Sequence, residues 1–114
     1  MELQYSELDH NIRMIKLCGK LDIFGTGEIE TKLAGHCSGE NVRVVVDLSE
    51  VDFLASIGIR LLILTAKSIA RRGGKMALVG PTPEVQRVLE LTGIPAIIPM
   101  YSQFESVEAV LMAS

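Results

Sequence analysis

The chain has 114 residues, of which 48% are hydrophobic, enough to build one buried core and too many for a disordered segment. Its 11 basic and 14 acidic residues leave a net charge of −3, and aromatic residues make up only 4%. Nucleic acid is therefore not expected as a partner, because neither a phosphate-neutralising surplus nor a base-stacking platform is present.

Taken in chain order, residues 3–8 and 11–18 have strand character and flank Asp9-His10-Asn11, which is turn chemistry, so a hairpin is expected. Gly19-Lys20-Leu21-Asp22 and Gly25-Thr26-Gly27 follow, the latter read as a flexible helix start. Ile29, Leu33 and Cys37 then recur at i, i+4 and i+8, the spacing of one helix face. Residues 42–48 form a β-branched run with almost no polar interruption, which predicts a central strand covered on both faces. After a short loop, residues 56–72 give the clearest helix. Ile59, Leu62, Ile63, Ala66, Ile69 and Ala70 share one sector, with Arg60, Lys67, Ser68 and Arg71 opposite.

Gly73-Gly74 ends that helix, and residues 75–79 read as a strand. Thr82-Pro83-Glu84 is a helix start, with a capping hydroxyl, a proline suited to the first turn and an acid at the positive end. That helix is expected to run to about Thr92, where Gly93 stops it. A short strand over 94–98 and a final helix over 103–112, with Phe104, Val107, Val110 and Leu111 as its apolar stripe, complete the chain. The order β-β-α-β-α-β-α-β-α predicts an α/β domain spanning 1–114, with a mixed, mostly parallel sheet, about four helices and an antiparallel N-terminal hairpin.

Catalytic and metal chemistry find little support. Cys18, Cys37, His10 and His36 lack the spacing of a structural zinc site. There is no nucleophile elbow and no phosphate-binding glycine loop, and Asp47, Glu50 and Asp52 read as solvated acids. No enzyme activity, metal or cofactor is expected. The start of the chain has no signal-peptide pattern, no apolar run reaches the roughly 20 residues of a membrane span, and the two cysteines read as free thiols. A cytoplasmic protein without a membrane partner is the expectation.

One segment stands apart. A buried strand leads through a loop to Ala55-Ser56-Ile57-Gly58, where the strongest helix begins. Ser56 can act simply as the helix cap. Alternatively it can carry a phosphate, since a helix N-terminus presents free N–H groups and partial positive charge.

Three stretches together resemble the STAS domain, and specifically the single-domain anti-sigma factor antagonists of bacteria. Gly19-Lys20-Leu21-Asp22 resembles the family's G-[ED]-[LI]-D segment. Val46 to Gly58 is similar to its strand, loop and D-S-[ST]-G-[LI] phosphorylation motif. Arg72-Gly73-Gly74-Lys75 and Val88-Leu89-Glu90-Leu91-Thr92-Gly93-Ile94 resemble a later strand start and helix end. The resemblance covers residues 3–111. It implies that Ser56 is a phospho-acceptor with Asp22 near it, and that the unphosphorylated protein binds an anti-sigma factor that is also a serine kinase. That binding frees a sigma factor; phosphorylation breaks the complex and a serine phosphatase resets it. Two positions depart from the motif, Ala55 standing for its Asp and Ile57 for its second Ser/Thr. The first loses an acidic neighbour and a better cap, and the second makes the segment more apolar. The expected partner surface is Asp22, Ala55, Ser56, Ile57, Gly58, Arg60, Leu61 and Leu64, the two leucines lying off the helix's core-facing sector. The alternative is an unphosphorylated STAS scaffold in a signalling or lipid-transport assembly.

Overall fold

The computed structural model describes residues 1–8 and 11–112, apart from the side chains of Val110 and Met112. The expected turn at Asp9-His10, His10 as a ligand candidate, and the place of Val110 on the last apolar stripe lie outside the described residues. Five strands form one sheet in the order β1 (Glu2–Leu8), β2 (Ile12–Leu21), β3 (Arg43–Leu54), β4 (Lys75–Val79), β5 (Met100–Tyr101). The first pair is antiparallel and the rest are parallel, so the expected α/β architecture is the one observed. The helices are α1 (Ile23–His36), α2 (Ser56–Arg71), α3 (Pro83–Leu91) and α4 (Phe104–Met112).

Alternation along β3 divides the interior in two. Val44, Val46 and Leu48 join the large cluster that includes Ile29 and Leu33 of α1, Leu62 and Ile69 of α2, and Val85 and Leu89 of α3. Val45 points the other way, into a smaller cluster with Ala77, Val79, Val107 and Leu111 beneath α4. Both faces of β3 are thus buried, which is why its sequence lacks the polar alternation of a half-exposed strand.

Four local expectations need correction. β2 does not stop at Cys18 but runs on to Leu21, and β3 continues past Leu48 to Leu54 where a loop was expected. The extensions pair with each other, Cys18 with Glu50 and Leu21 with Leu54, across two register shifts. Those shifts break the two-residue period, so the polar residues of this stretch resemble a loop. Gly25-Thr26-Gly27 is no flexible lead-in: it lies within α1, whose N-cap is Asp22. The fourth concerns residues 94–98. Gly93 takes φ +76°, and Ile94–Ala96 forms a single 3₁₀ turn, with the last strand displaced to Met100–Tyr101. Pro95 has no N–H for a sheet ladder and suits the first turn of a helix. Among the correctly placed boundaries, the Thr82 hydroxyl accepts a hydrogen bond from the amide of Val85 at 3.3 Å and caps α3.

Candidate functional site

The carboxyl ends of β2 and β3 lie side by side, and each delivers a helix. The amide of Ala55 donates to the carbonyl of Leu21 at 3.0 Å, joining the two exits. Asp22 closes the start of α1, its Oδ1 accepting from the amide of Gly25 at 2.8 Å. Two glycines allow the helices to sit this close to the strands. A Cβ on Gly25 would lie 1.9 Å from the carbonyl oxygen of Lys20, and one on Gly58 would lie 2.8 Å from that of Leu21. Gly58, expected as a contact residue, is therefore buried under the first turn of α2 and serves its packing.

Ser56 is not the cap of α2. Ala55 holds that position, with φ −94° and ψ 169°, and offers no side-chain acceptor. Ser56 is the first helical residue and is exposed. The helix begins with uncapped N–H groups and no acid in its first turn, which leaves its positive end uncompensated from within. The reading of Ser56 as a structural cap is thereby removed.

Between the first turns of α1 and α2 runs a cleft of about 500 Å³. Ser56, Ile57, Arg60, Leu61 and Leu64 form its α2 wall, and Ile23, Thr26, Gly27 and Glu30 its α1 wall. Five of the eight expected surface residues are thus brought to one place. Asp22 and Ala55 sit at its end as the two helix caps. Leu64 is 51% exposed, whereas Leu61 is half-buried against the core. The cleft continues between α1 and α2 past Ala34 and Thr65 towards Arg72, adding about 470 Å³.

The sequence reading missed the α1 contribution. Ile23 and Phe24 are 64% and 79% exposed, and Phe53 at the end of β3 is half-exposed. A helical wheel carries the signal: Ile23 and Phe24 lie about 120° and 140° from Ile29 and so cannot join its core-facing stripe. With Ile57 and Leu64 they make this end of the molecule rich in exposed apolar side chains, a composition typical of protein contact sites.

Arg60 and Thr26 stand out among the polar groups at the cleft. Arg60 is exposed and forms no ion pair among the described residues. Thr26 is 4% exposed, and its hydroxyl is the one buried side-chain polar atom among the described residues with no hydrogen bond. Helical threonines usually return the hydroxyl to the preceding turn, as Thr65 does to Leu61 at 2.7 Å and Thr92 to Val88 at 2.8 Å. Leaving such a group unsatisfied costs about 1–3 kcal/mol.

Elsewhere the titratable candidates are absorbed locally. Asp47 accepts from the amide of Ser49 at 2.9 Å, and Glu50 lies 3.9 Å from Lys16. Both cysteines are free thiols. Burial raises the Cys37 thiol to about 11, against the opposing charges of Arg13 and Arg72, so it is a poor nucleophile at neutral pH. No three metal-ligating side chains gather among the described residues. Likewise, no helix among them is long and apolar enough to cross a membrane.

The chain is similar to known proteins in sequence and in fold. The STAS domain family model matches residues 6–107. A Bordetella bronchiseptica protein, BtrV, named provisionally as an anti-sigma factor antagonist, is 28% identical over 109 residues, covering 96% of this chain and 93% of its own. The anti-sigma F factor antagonist of Paenibacillus polymyxa is 27% identical over 104 residues, 89% of this chain and 88% of its own. The crystal structure of an anti-sigma factor antagonist from Mycobacterium paratuberculosis superposes with a TM-score of 0.87, covering 97% of this chain and 93% of that one at 22% identity.

Proposed function

The chain belongs to the STAS domain family, and from that premise we propose that it is an anti-sigma factor antagonist whose docking surface is the cleft at Ser56. The unphosphorylated protein binds an anti-sigma factor that is also a serine kinase, and so releases a sigma factor. Transfer of the γ-phosphoryl of ATP to the Ser56 hydroxyl, with loss of its proton, ends that binding; a serine phosphatase restores it. The observation that carries this reading is the position of Ser56. It is an exposed hydroxyl on the first residue of an uncapped helix, in a cleft bordered by exposed apolar side chains. An anti-sigma factor packing on Ile23, Ile57 and Leu64 would cover Ser56, and the same partner's kinase site would then have the hydroxyl within reach. The test is intact mass after incubation with ATP and the co-purified kinase. One added phosphate is expected on the native protein and none on Ser56→Ala; equal labelling of the two overturns the site.

A second reading rests on Ala55 and on Ile57, 39% exposed beside Ser56, which makes the surface more apolar than the Ser/Thr of the motif would. It is a constitutive STAS scaffold. Partner binding that is indifferent to ATP favours this scaffold over the switch.

A further inference from the structure

We propose that the cleft between the first turns of α1 and α2 is a receptor for the phosphoryl group carried by Ser56, with Arg60 and Thr26 as its ligands. The inference rests on Ser56 as the phospho-acceptor and adds what the modified side chain does next. Three features converge. The N-terminus of α2 is open, with neither a side-chain cap nor an acid in its first turn. Arg60 follows Ser56 by four residues, which places both side chains on one helix face, and both line the cleft. In its α1 wall, Thr26 carries a hydroxyl that is buried, unpaired and not returned to its own helix, directly behind the cleft surface. An open helix end, an uncommitted guanidinium and an orphan donor together are what a phosphate dianion's oxygens require.

Other charges at this end oppose the arrangement or stand aside. Glu30 lines the cleft from α1 and repels the phosphate. Asp22 is committed to capping α1, and Asp52 is exposed on β3. Arg60 is the one cation lining the cleft among the described residues, so its contribution is separable by substitution. Phosphorylation on this account bridges α2 to α1 and fills the cleft with bound charge. The switched-off protein is then more stable than the unmodified one, instead of being locally unfolded by the modification.

The test installs phosphoserine at position 56 by genetic encoding, which makes it independent of any kinase. The ³¹P resonance is titrated through the second phosphate ionisation, near pH 6. A bound dianion titrates lower, by roughly half a pH unit relative to Arg60→Ala, given the modest strength of an exposed helix-end contact. The thermal midpoint of the phosphoprotein should exceed that of the unmodified chain, and Arg60→Ala should remove that gain. Thr26→Val should leave the unmodified protein as stable or more so, because an orphan hydroxyl is lost, yet reduce the gain on phosphorylation. Identical ³¹P titrations in the native and Arg60→Ala phosphoproteins, or a phosphoprotein less stable than the unmodified chain, overturn the proposal. Failure of kinase labelling at Ser56 would instead overturn the functional reading on which it rests.

Discussion

Gly58→Ala tests how firmly the start of α2 is fixed to the sheet. In an unconstrained helix interior, replacing Gly by Ala stabilises by about 1 kcal/mol, because the unfolded chain loses freedom. At Gly58 the new Cβ would lie 2.8 Å from the carbonyl oxygen of Leu21, 2.9 Å from its Cβ and 3.0 Å from a Leu54 methyl. Only the methyl can yield by rotation. The Leu21 carbonyl is held, since it accepts the amide of Ala55 at 3.0 Å. Overpacking costs about 1–3 kcal/mol, and with fixed backbone as the obstacle the upper part of that range, about 2–3 kcal/mol, applies, so the propensity gain is outweighed and a net loss of about 1–2 kcal/mol is expected. For a chain of this length that lowers Tm by roughly 4–8 °C. Urea unfolding followed by circular dichroism measures it, with an unchanged m-value showing that the native state is intact. Gly27→Ala is the control: it lies in α1 with nothing within 4 Å of the added carbon, and it should gain about 0.5–1 kcal/mol. If Gly58→Ala matched or exceeded the native stability while Gly27→Ala behaved as expected, the rigid seating of the Ser56 turn would be refuted.

Ala55→Asp supplies the missing cap of α2 at a position whose extended backbone already suits it. It should stabilise by about 0.5–2 kcal/mol in thermal unfolding at neutral pH, an increment that fades as the carboxylate is protonated. Cys37 predicts a dependence at the alkaline end. Its native thiol is raised to about 11 by burial, so the unfolded chain releases this proton first. The Cys37 contribution to stability is therefore constant below the ordinary thiol range and falls as pH rises from about 9 towards 11. Comparing the native protein with Cys37→Ala or Cys37→Val in urea at pH 7 and pH 10 isolates it. A native protein that loses no more stability than the variants between those pH values would contradict the assignment.

The architecture was legible because its long elements obey simple periods. The β-branched run of β3, the wheel of α2 and the Thr82-Pro83-Glu84 start each carry a local signal that tertiary packing reinforces. What was missed depends on contacts that local periodicity does not show. The extensions of β2 and β3 exist because residues 18–21 and 50–54 pair across register shifts, and neither segment alternates cleanly by itself. Gly25 resembles part of a flexible tripeptide until the carbonyl of Lys20 is found against it. The Ser56 end of the cleft was readable from α2 alone. Its other wall was not: a helical wheel shows only that Ile23 lies off the core-facing stripe of α1, and that it faces the Ser56 turn follows only when α1 is placed beside α2. The Ser56 cap was misjudged by one residue, a shift with chemical consequence: a capping hydroxyl is committed to its own backbone, whereas this one is free.

That freedom bears on how a small change could control binding. The start of α2 is seated on β2 through Gly58 and joined to it by the Ala55–Leu21 hydrogen bond, so a phosphate on Ser56 has no easy conformational outlet. Its effect is felt by whatever covers the cleft. A partner packing on Ile23, Phe24, Ile57 and Leu64 would strip water from the dianion, at a cost of several kcal/mol for a buried charge without full compensation. Each 1.4 kcal/mol is a tenfold loss of affinity, so desolvation alone separates bound from unbound states without refolding the domain. Arg60 and Thr26 do not relieve that cost for the partner. In the proposed arrangement they would hold the phosphate against the protein's own helix, leaving its outer oxygens to water. A modified protein of this kind would be stabilised in isolation and penalised only in the complex, which is the asymmetry a reversible switch on a rigid domain needs.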